Sequence, residues 1–126
     1  MPVNVKVIRT KEFIKSTATG SFDFAASKQA LLDIVSLIKQ PGEYEVLVDT
    51  RGAETKLETT DLFELGNALA AHPSLRRSKV ATLVPMSDMD NAHFLETVAQ
   101  NRGVRMRAFT DFEAAMTWLI LREEDA

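Results

Sequence analysis

The sequence contains no cysteine, which excludes disulfides, thiolate nucleophiles and thiolate metal sites together. Histidine occurs only at His72 and His93, with no His-Glu-x-x-His or Gly-x-Ser-x-Gly string to recruit either for chemistry. The five glycines stand singly, so no loop of Walker or Rossmann type is available to cradle phosphates. No apolar run approaches the roughly 20 residues of a membrane-spanning helix. Met1-Pro2-Val3-Asn4 opens into a strand pattern rather than the apolar core of a secretory signal. An excess of one charge is lacking too: 15 Lys and Arg face 18 Asp and Glu, a net charge of −3. Nucleic-acid binders show a basic face, and the nearest thing to one is Arg76-Arg77-Ser78-Lys79, read as a solvated connection that compensates a helix C-terminus. The expectation is a cytoplasmic chain with no transmembrane segment, no nucleic-acid partner, no cofactor and no metal.

What is present suits one folded domain over residues 1–126, with 45% hydrophobic and 26% charged residues. Val3, Val5 and Val7 alternate with polar neighbours, as in a strand with one face buried, and a second run from Phe13 to Thr19 ends at Gly20 as its hairpin partner. From Phe22 to Gln40 the period becomes helical, with Phe24, Leu31, Val35 and Ile38 on one face and Pro41-Gly42 as the stop. Tyr44 to Asp49 reads as a central strand, followed by a polar loop through Arg51–Lys56. A second helix starts around Thr59-Thr60-Asp61, buries Leu62, Leu65 and Leu69, and is closed by Pro73. Lys79 to Pro85 is a nearly all-apolar interior strand. Ser87-Asp88-Met89-Asp90 offers caps for a third helix with Ala92, Leu95 and Ala99 inward and Gly103 at its end. Val104 to Phe109 is the last strand, and Thr110 with Glu113 fits the capping box of a last helix carrying Phe112, Met116 and Leu119. The order β-β-α-β-α-β-α-β-α predicts an α/β fold: a mixed five-stranded sheet with four helices, parallel except for the opening hairpin.

Several strings within this order resemble the SpoIIAA-like branch of the STAS domains. Val46-Leu47-Val48-Asp49-Thr50-Arg51-Gly52 is similar to their central strand, an apolar run ending in Asp before a short loop. Arg107-Ala108-Phe109-Thr110-Asp111-Phe112, running into Ala115-Met116-Thr117-Trp118-Leu119, resembles their last strand, Phe-Thr-Asp turn and final helix, and Asn91-Ala92-His93-Phe94 fits the start of the third helix. The resemblance implies a regulatory or protein-interaction module rather than an enzyme. It also implies a distant architectural kinship with lipid-binding domains. Phosphorylated anti-sigma-factor antagonists carry Asp-Ser-Ser-Gly at the start of the second crossover helix, where this sequence has Glu58-Thr59-Thr60-Asp61. A hydroxyl is kept at Thr59, whereas the serines and the glycine are not.

Four sets of residues are candidates for function. Thr59 and Thr60 at a helix N-terminus could accept phosphate, which would meet free N–H groups and the positive end of the dipole; the same residues serve as plain N-caps. Asp49, Asp88 and Asp90 are expected just past strand C-termini, where open α/β sheets bind ligands, with capping as the simpler role. Asp49, Arg51, Thr59, Thr60, Asp61, Met86 and Asp88 together form the expected interaction surface, the thioether of Met86 being adaptable. Phe63, Phe94 and Trp118 could line an apolar slot or simply fill the core. The leading expectation is a STAS-type module that binds a protein partner or a second copy of itself as a homodimer. A carrier or sensor of a small apolar, lipid-like ligand is the alternative, and a metal-dependent enzyme built on Asp49 with Asp88 or Asp90 comes third.

Overall fold

A hairpin opens the computed structural model, which describes residues 4–9, 13–38 and 44–121. Strand β1 (Asn4–Arg9) runs antiparallel to β2 (Phe13–Asp23), with Asn4 opposite Thr19 and Arg9 opposite Ile14. Every second residue in the first half of β2 turns inward, so Ile14, Ser16 and Ala18 are buried between half-exposed or exposed neighbours. Strands β3 (Glu45–Lys56), β4 (Lys79–Leu83) and β5 (Arg105–Phe109) then add one after another, each parallel to its predecessor. The spatial order is β1-β2-β3-β4-β5, with four strands parallel and β1 antiparallel at one edge.

Five helices accompany the sheet: α1 (Phe24–Leu37), α2 (Thr59–Ala70), the single turn α3 (Pro73–Arg76), α4 (Met89–Asn101) and α5 (Phe112–Ile120). The main core lies between the sheet and α1, α2 and α4, where Leu31, Ile34, Leu62, Leu65 and Leu95 pack on Ile14, Val46, Val80 and Met106. On the opposite face α5 sets Ala115 and Leu119 against Leu47, Ala81 and Leu83. Neighbouring residues such as Val46 and Leu47 therefore enter different cores, and β4 is buried at all five positions. Burial on both faces is why its sequence reads as an unbroken apolar run.

Several expected boundaries move. β2 does not stop near Gly20; with φ at 80°, Gly20 carries the chain onward, and Phe22 is a buried strand residue rather than the start of α1. The polar stretch Arg51–Lys56 is not a loop but the second half of β3, paired from Gly52 opposite Thr19 to Lys56 opposite Asp23. The partner strand satisfies its backbone groups, so polar side chains can face outward without costing the pairing. Helix α1 ends at Leu37, and the Pro41-Gly42 stop lies outside the described residues. Pro73 opens a helix instead of closing one: it occupies the first turn of α3, where a missing N–H costs nothing, and this turn brings the helices to five rather than four.

Capping also departs from expectation. Asp111, not Thr110, caps α5 by accepting from the Ala114 N–H at 2.9 Å. Ser78 and Lys79 are buried rather than solvated. The Lys79 ammonium lies over the Trp118 ring and donates to the carbonyl oxygens of Trp118 and Leu121, a cation placed at the negative end of α5.

Candidate functional site

Three groups of polar residues gather where the parallel strands end, and strand alternation decides which face each one serves. Asp49 and Arg51, two apart on β3, project on the α5 face alongside Leu47. The Asp49 carboxylate accepts from Arg51 Nε and Nη2, each at 3.0 Å, and from the Arg51 backbone N–H at 3.0 Å. Burial pushes this carboxyl up, but the Arg51 hydrogen bonds and charge, with Lys15 adding to them, outweigh it and hold the group below its ordinary value. The same pairing raises the Arg51 guanidinium, with Asp111 contributing from the turn before α5. Asp49 is thus a satisfied carboxylate inside a strand, not an open ligand beyond its end.

At the start of α2 the cap is Glu58, whose N–H donates to Asp61 Oδ2 at 2.9 Å. Thr59 and Thr60 are the first two helical residues and both are exposed. Their side chains are therefore not the N-caps that the sequence suggests. The third group is the single 3₁₀ turn Met86–Asp88 before α4, where Met86 is 74% exposed. Asp88 is half-buried, and Asn91 Nδ2 donates to it at 3.3 Å. Burial raises the Asp88 carboxyl above its ordinary value, and the Asn91 contact offsets only part of this.

Beneath the second and third groups is a cavity of about 100 Å³ between α1, α2, α4 and the sheet. Its walls are apolar, with Leu31, Ile34, Leu62 and Val80 among them, while Thr50, Thr55 and Asp88 contribute polar atoms. Thr50 Oγ1 donates to the Leu83 carbonyl at 3.2 Å, whereas Thr55 Oγ1 is buried with no hydrogen-bond partner among the described residues.

The chain superposes over nearly its whole length on solved structures. An anti-sigma factor antagonist from Mycobacterium paratuberculosis superposes with a TM-score of 0.60 at 11% identity, over 94% of each chain. The anti-sigma factor antagonist SpoIIAA in its unphosphorylated form gives 0.57 at 18% identity, over 94% of this chain and 100% of the other. An uncharacterized protein of the DUF3478 family with a SpoIIAA-like fold, from Shewanella loihica PV-4, gives 0.59 at 15% identity over 93% of each. The chain has a SpoIIAA-like fold. No protein-family model matches the sequence, and no curated protein matches it.

On this SpoIIAA-like frame the expected sites are only partly brought together. Asp88 lines the cavity face with Thr50, while Asp49 lies on the other side of the sheet, so the two carboxylates cannot share a cation. Asp90 is exposed on α4, and among the described residues no three His, Asp or Glu side chains cluster closely enough to hold a metal. His72 precedes α3, and the exposed His93 has Nδ1 3.9 Å from Glu96 Oε1. Phe63, Phe94 and Trp118 do not form one slot: Trp118 packs under α5 against Phe109, whereas Phe63 (45% exposed) and Phe94 (38%) sit on α2 and α4. None of the three lines the cavity. The signal that could have revealed it is a set of threonines, Thr50, Thr55 and Thr82, standing in strand runs where an aliphatic residue would pack. No described helix is long and apolar enough to cross a membrane.

Proposed function

We propose that this chain is a single STAS-type regulatory domain that binds a protein partner through the surface around the start of α2. The observation that carries the reading is the uncommitted pair of hydroxyls at Thr59 and Thr60. Because Glu58 and Asp61 do the capping, both hydroxyls face solvent in the first turn of a 12-residue helix. Asp61 and the exposed ring of Phe63 flank them, and Met86 is the most exposed large apolar side chain among the described residues. A surface with apolar contacts beside rotatable hydroxyls suits a protein partner, and phosphate on either threonine would reverse its electrostatics. Anti-sigma factor antagonists of the same fold support a regulatory role over a catalytic one. Asp49 and Arg51 keep the adjacent strand rigid in this reading and make no contact with the partner. The domain is proposed to act in the cytoplasm and without a cofactor.

The test is affinity capture from the source cells with the wild-type chain, Thr59→Glu, Phe63→Ser and, as a control on the far edge strand, Arg107→Glu. A protein held by wild type and Arg107→Glu but lost by both α2 variants supports the reading. A partner unaffected by the α2 changes, or lost only with Arg107→Glu, overturns it.

A further inference from the structure

The cavity under α1, α2 and α4 has a composition that simple underpacking does not explain. A gap left by imperfect packing is lined by apolar atoms and needs no polar ones. This one carries one buried polar atom without a partner and one half-buried carboxylate with capacity left for a ligand. Thr55 Oγ1 is buried and has no partner, although a buried hydroxyl ordinarily finds one. Asp88 faces the same cavity with one long contact from Asn91, and among the described residues no cation pairs with it. Asp88 is half-buried, so its carboxylate is open to a cationic group that arrives from solvent. Nearby hydroxyls are already engaged: Thr50 Oγ1 donates to the Leu83 carbonyl and Ser27 Oγ to the Phe24 carbonyl. The demand therefore falls on whatever enters from outside.

Size guides the choice of ligand. A cavity of about 150 Å³ is enough to hold benzene, so about 100 Å³ suits an aliphatic group of a few carbons. We infer that the cavity is a binding site for a short aliphatic primary amine, whose alkyl group sits among Leu31, Leu62 and Val80 and whose ammonium donates to the Asp88 carboxylate. Thr55 Oγ1 supplies an acceptor within the same cavity. An ammonium suits this lining, because it has three donors and no acceptor, while the Asp88 carboxylate accepts and the Thr55 hydroxyl can accept. A carboxylate ligand would meet Asp88 with like charge. An alcohol would satisfy the hydrogen bonding but leave the charge unpaired. The site is separate from the exposed α2 hydroxyls, so its failure leaves the docking reading untouched.

The experiment uses n-butylamine, 1-butanol and butyrate as probes on the full chain with ¹³C-labelled Leu and Val methyls, followed by NMR titration. Butylamine is expected to bind with a dissociation constant on the order of 1 mM, as suits a ligand of five heavy atoms, and to shift the methyls of Leu31, Leu62 and Val80. Butanol should bind about tenfold more weakly and butyrate not at all. Asp88→Asn keeps the shape of the side chain and should fold at least as well as wild type. It is expected to lose butylamine affinity by tenfold or more while leaving butanol unchanged. Leu62→Phe, which fills the cavity, should abolish the shifts from both probes, and the methyl spectrum itself reports whether that variant is folded. Equal binding of butylamine and butanol, an undiminished butylamine affinity in Asp88→Asn, or shifts confined to surface methyls would each overturn the assignment.

Discussion

Gly66 is where the packing of α2 on α4 can be tested most sharply. It lies on the buried stripe of α2 between Leu62 and Leu69. A Cβ built on it would stand 2.4 Å from Val98 Cγ1 and 3.0 Å from Val98 Cβ. Val98 is β-branched and within a helix, so one χ1 rotamer dominates and the side chain cannot swing aside at low cost. Its Cβ cannot move at all without the backbone. Two effects then oppose each other in Gly66→Ala. Helix propensity favours alanine by about 1 kcal/mol. Against it, the contact is more than 1 Å short of van der Waals separation, and overpacking of this kind costs about 1–3 kcal/mol with the helices forced apart. We expect the clash to win, leaving a net loss of about 1–2 kcal/mol and a Tm lower by about 3–8 °C. Val98→Ala should remove the obstacle. On its own it forfeits two buried methyl groups, about 1.5–2 kcal/mol. In that background Gly66→Ala should be neutral or stabilising, a coupling of about 2 kcal/mol between the sites. Urea denaturation of the four proteins, read by circular dichroism, supplies the cycle. A stabilised Gly66→Ala in the wild-type background, or the same loss in both backgrounds, would refute the reasoning.

Three further outcomes follow from single contacts. Lys79→Met keeps the aliphatic bulk but strips the Trp118 and Leu121 carbonyls of their donor. It should cost about 1–2 kcal/mol and speed amide exchange in the last turn of α5, whereas unchanged exchange would show that the ammonium does not hold this end. Asp61→Ala removes the acceptor of the Glu58 N–H and should lose about 1 kcal/mol, while Thr59→Ala and Thr60→Ala should stay within about 0.5 kcal/mol of wild type; a larger loss at either threonine would restore it as a cap. Asp88 has a raised carboxyl, so its penalty is absent at low pH, sets in as pH rises past the unfolded-chain value near 3.9, and is complete above the raised folded value. Asp88→Asn should therefore be more stable than wild type at pH 7 and equal to it at pH 3, and Asp49→Asn should show the opposite slope, since the depressed carboxyl of Asp49 stabilises above the unfolded value and loses that contribution as pH falls.

The alternation of strands and helices was legible because each run had the period of its element. Val46 to Val48 is apolar without a break, as a doubly covered strand must be, and the Leu62, Leu65, Leu69 stripe recurs at helical spacing. The polar half of β3 was not legible for the same reason. Arg51 to Lys56 has neither an apolar run nor a turn residue sequence of its own, and it is a strand only because Thr19–Asp23 lies beside it. Such pairing is a long-range fact that no local pattern carries. Pro73 misled through its two roles, since proline ends a helix in its interior yet opens one in the first turn. The caps failed on a choice among neighbours: Glu58, Thr59, Thr60 and Asp61 all hold side-chain oxygens, and only the backbone angle at Glu58, with ψ at 168°, selects the residue outside the helix.

The position of the cavity follows from unequal strand lengths. β3 has 12 residues and β4 has five, and their pairing stops at Asp49 opposite Leu83. Beyond that point β3 continues beside β2 to Asp23 and Lys56 with no β4 alongside, an overhang of roughly 20 Å at about 3.3 Å per residue. Strands extending past the rest of the sheet need cover for their apolar face from elsewhere. Phe22 on the overhang and Leu57 just past it therefore meet α1 and the start of α2, while the missing length of β4 is taken up by the Met86–Asp88 turn and the first turn of α4. A turn fills space less completely than a strand, and its polar groups point where a strand would have set aliphatic side chains. The gap and its carboxylate thus share one origin, the early end of β4. The same geometry separates the two halves of the site expected around Asp49: Thr50 turns toward the gap, Asp49 turns away from it, and a shift of register by one residue would exchange them.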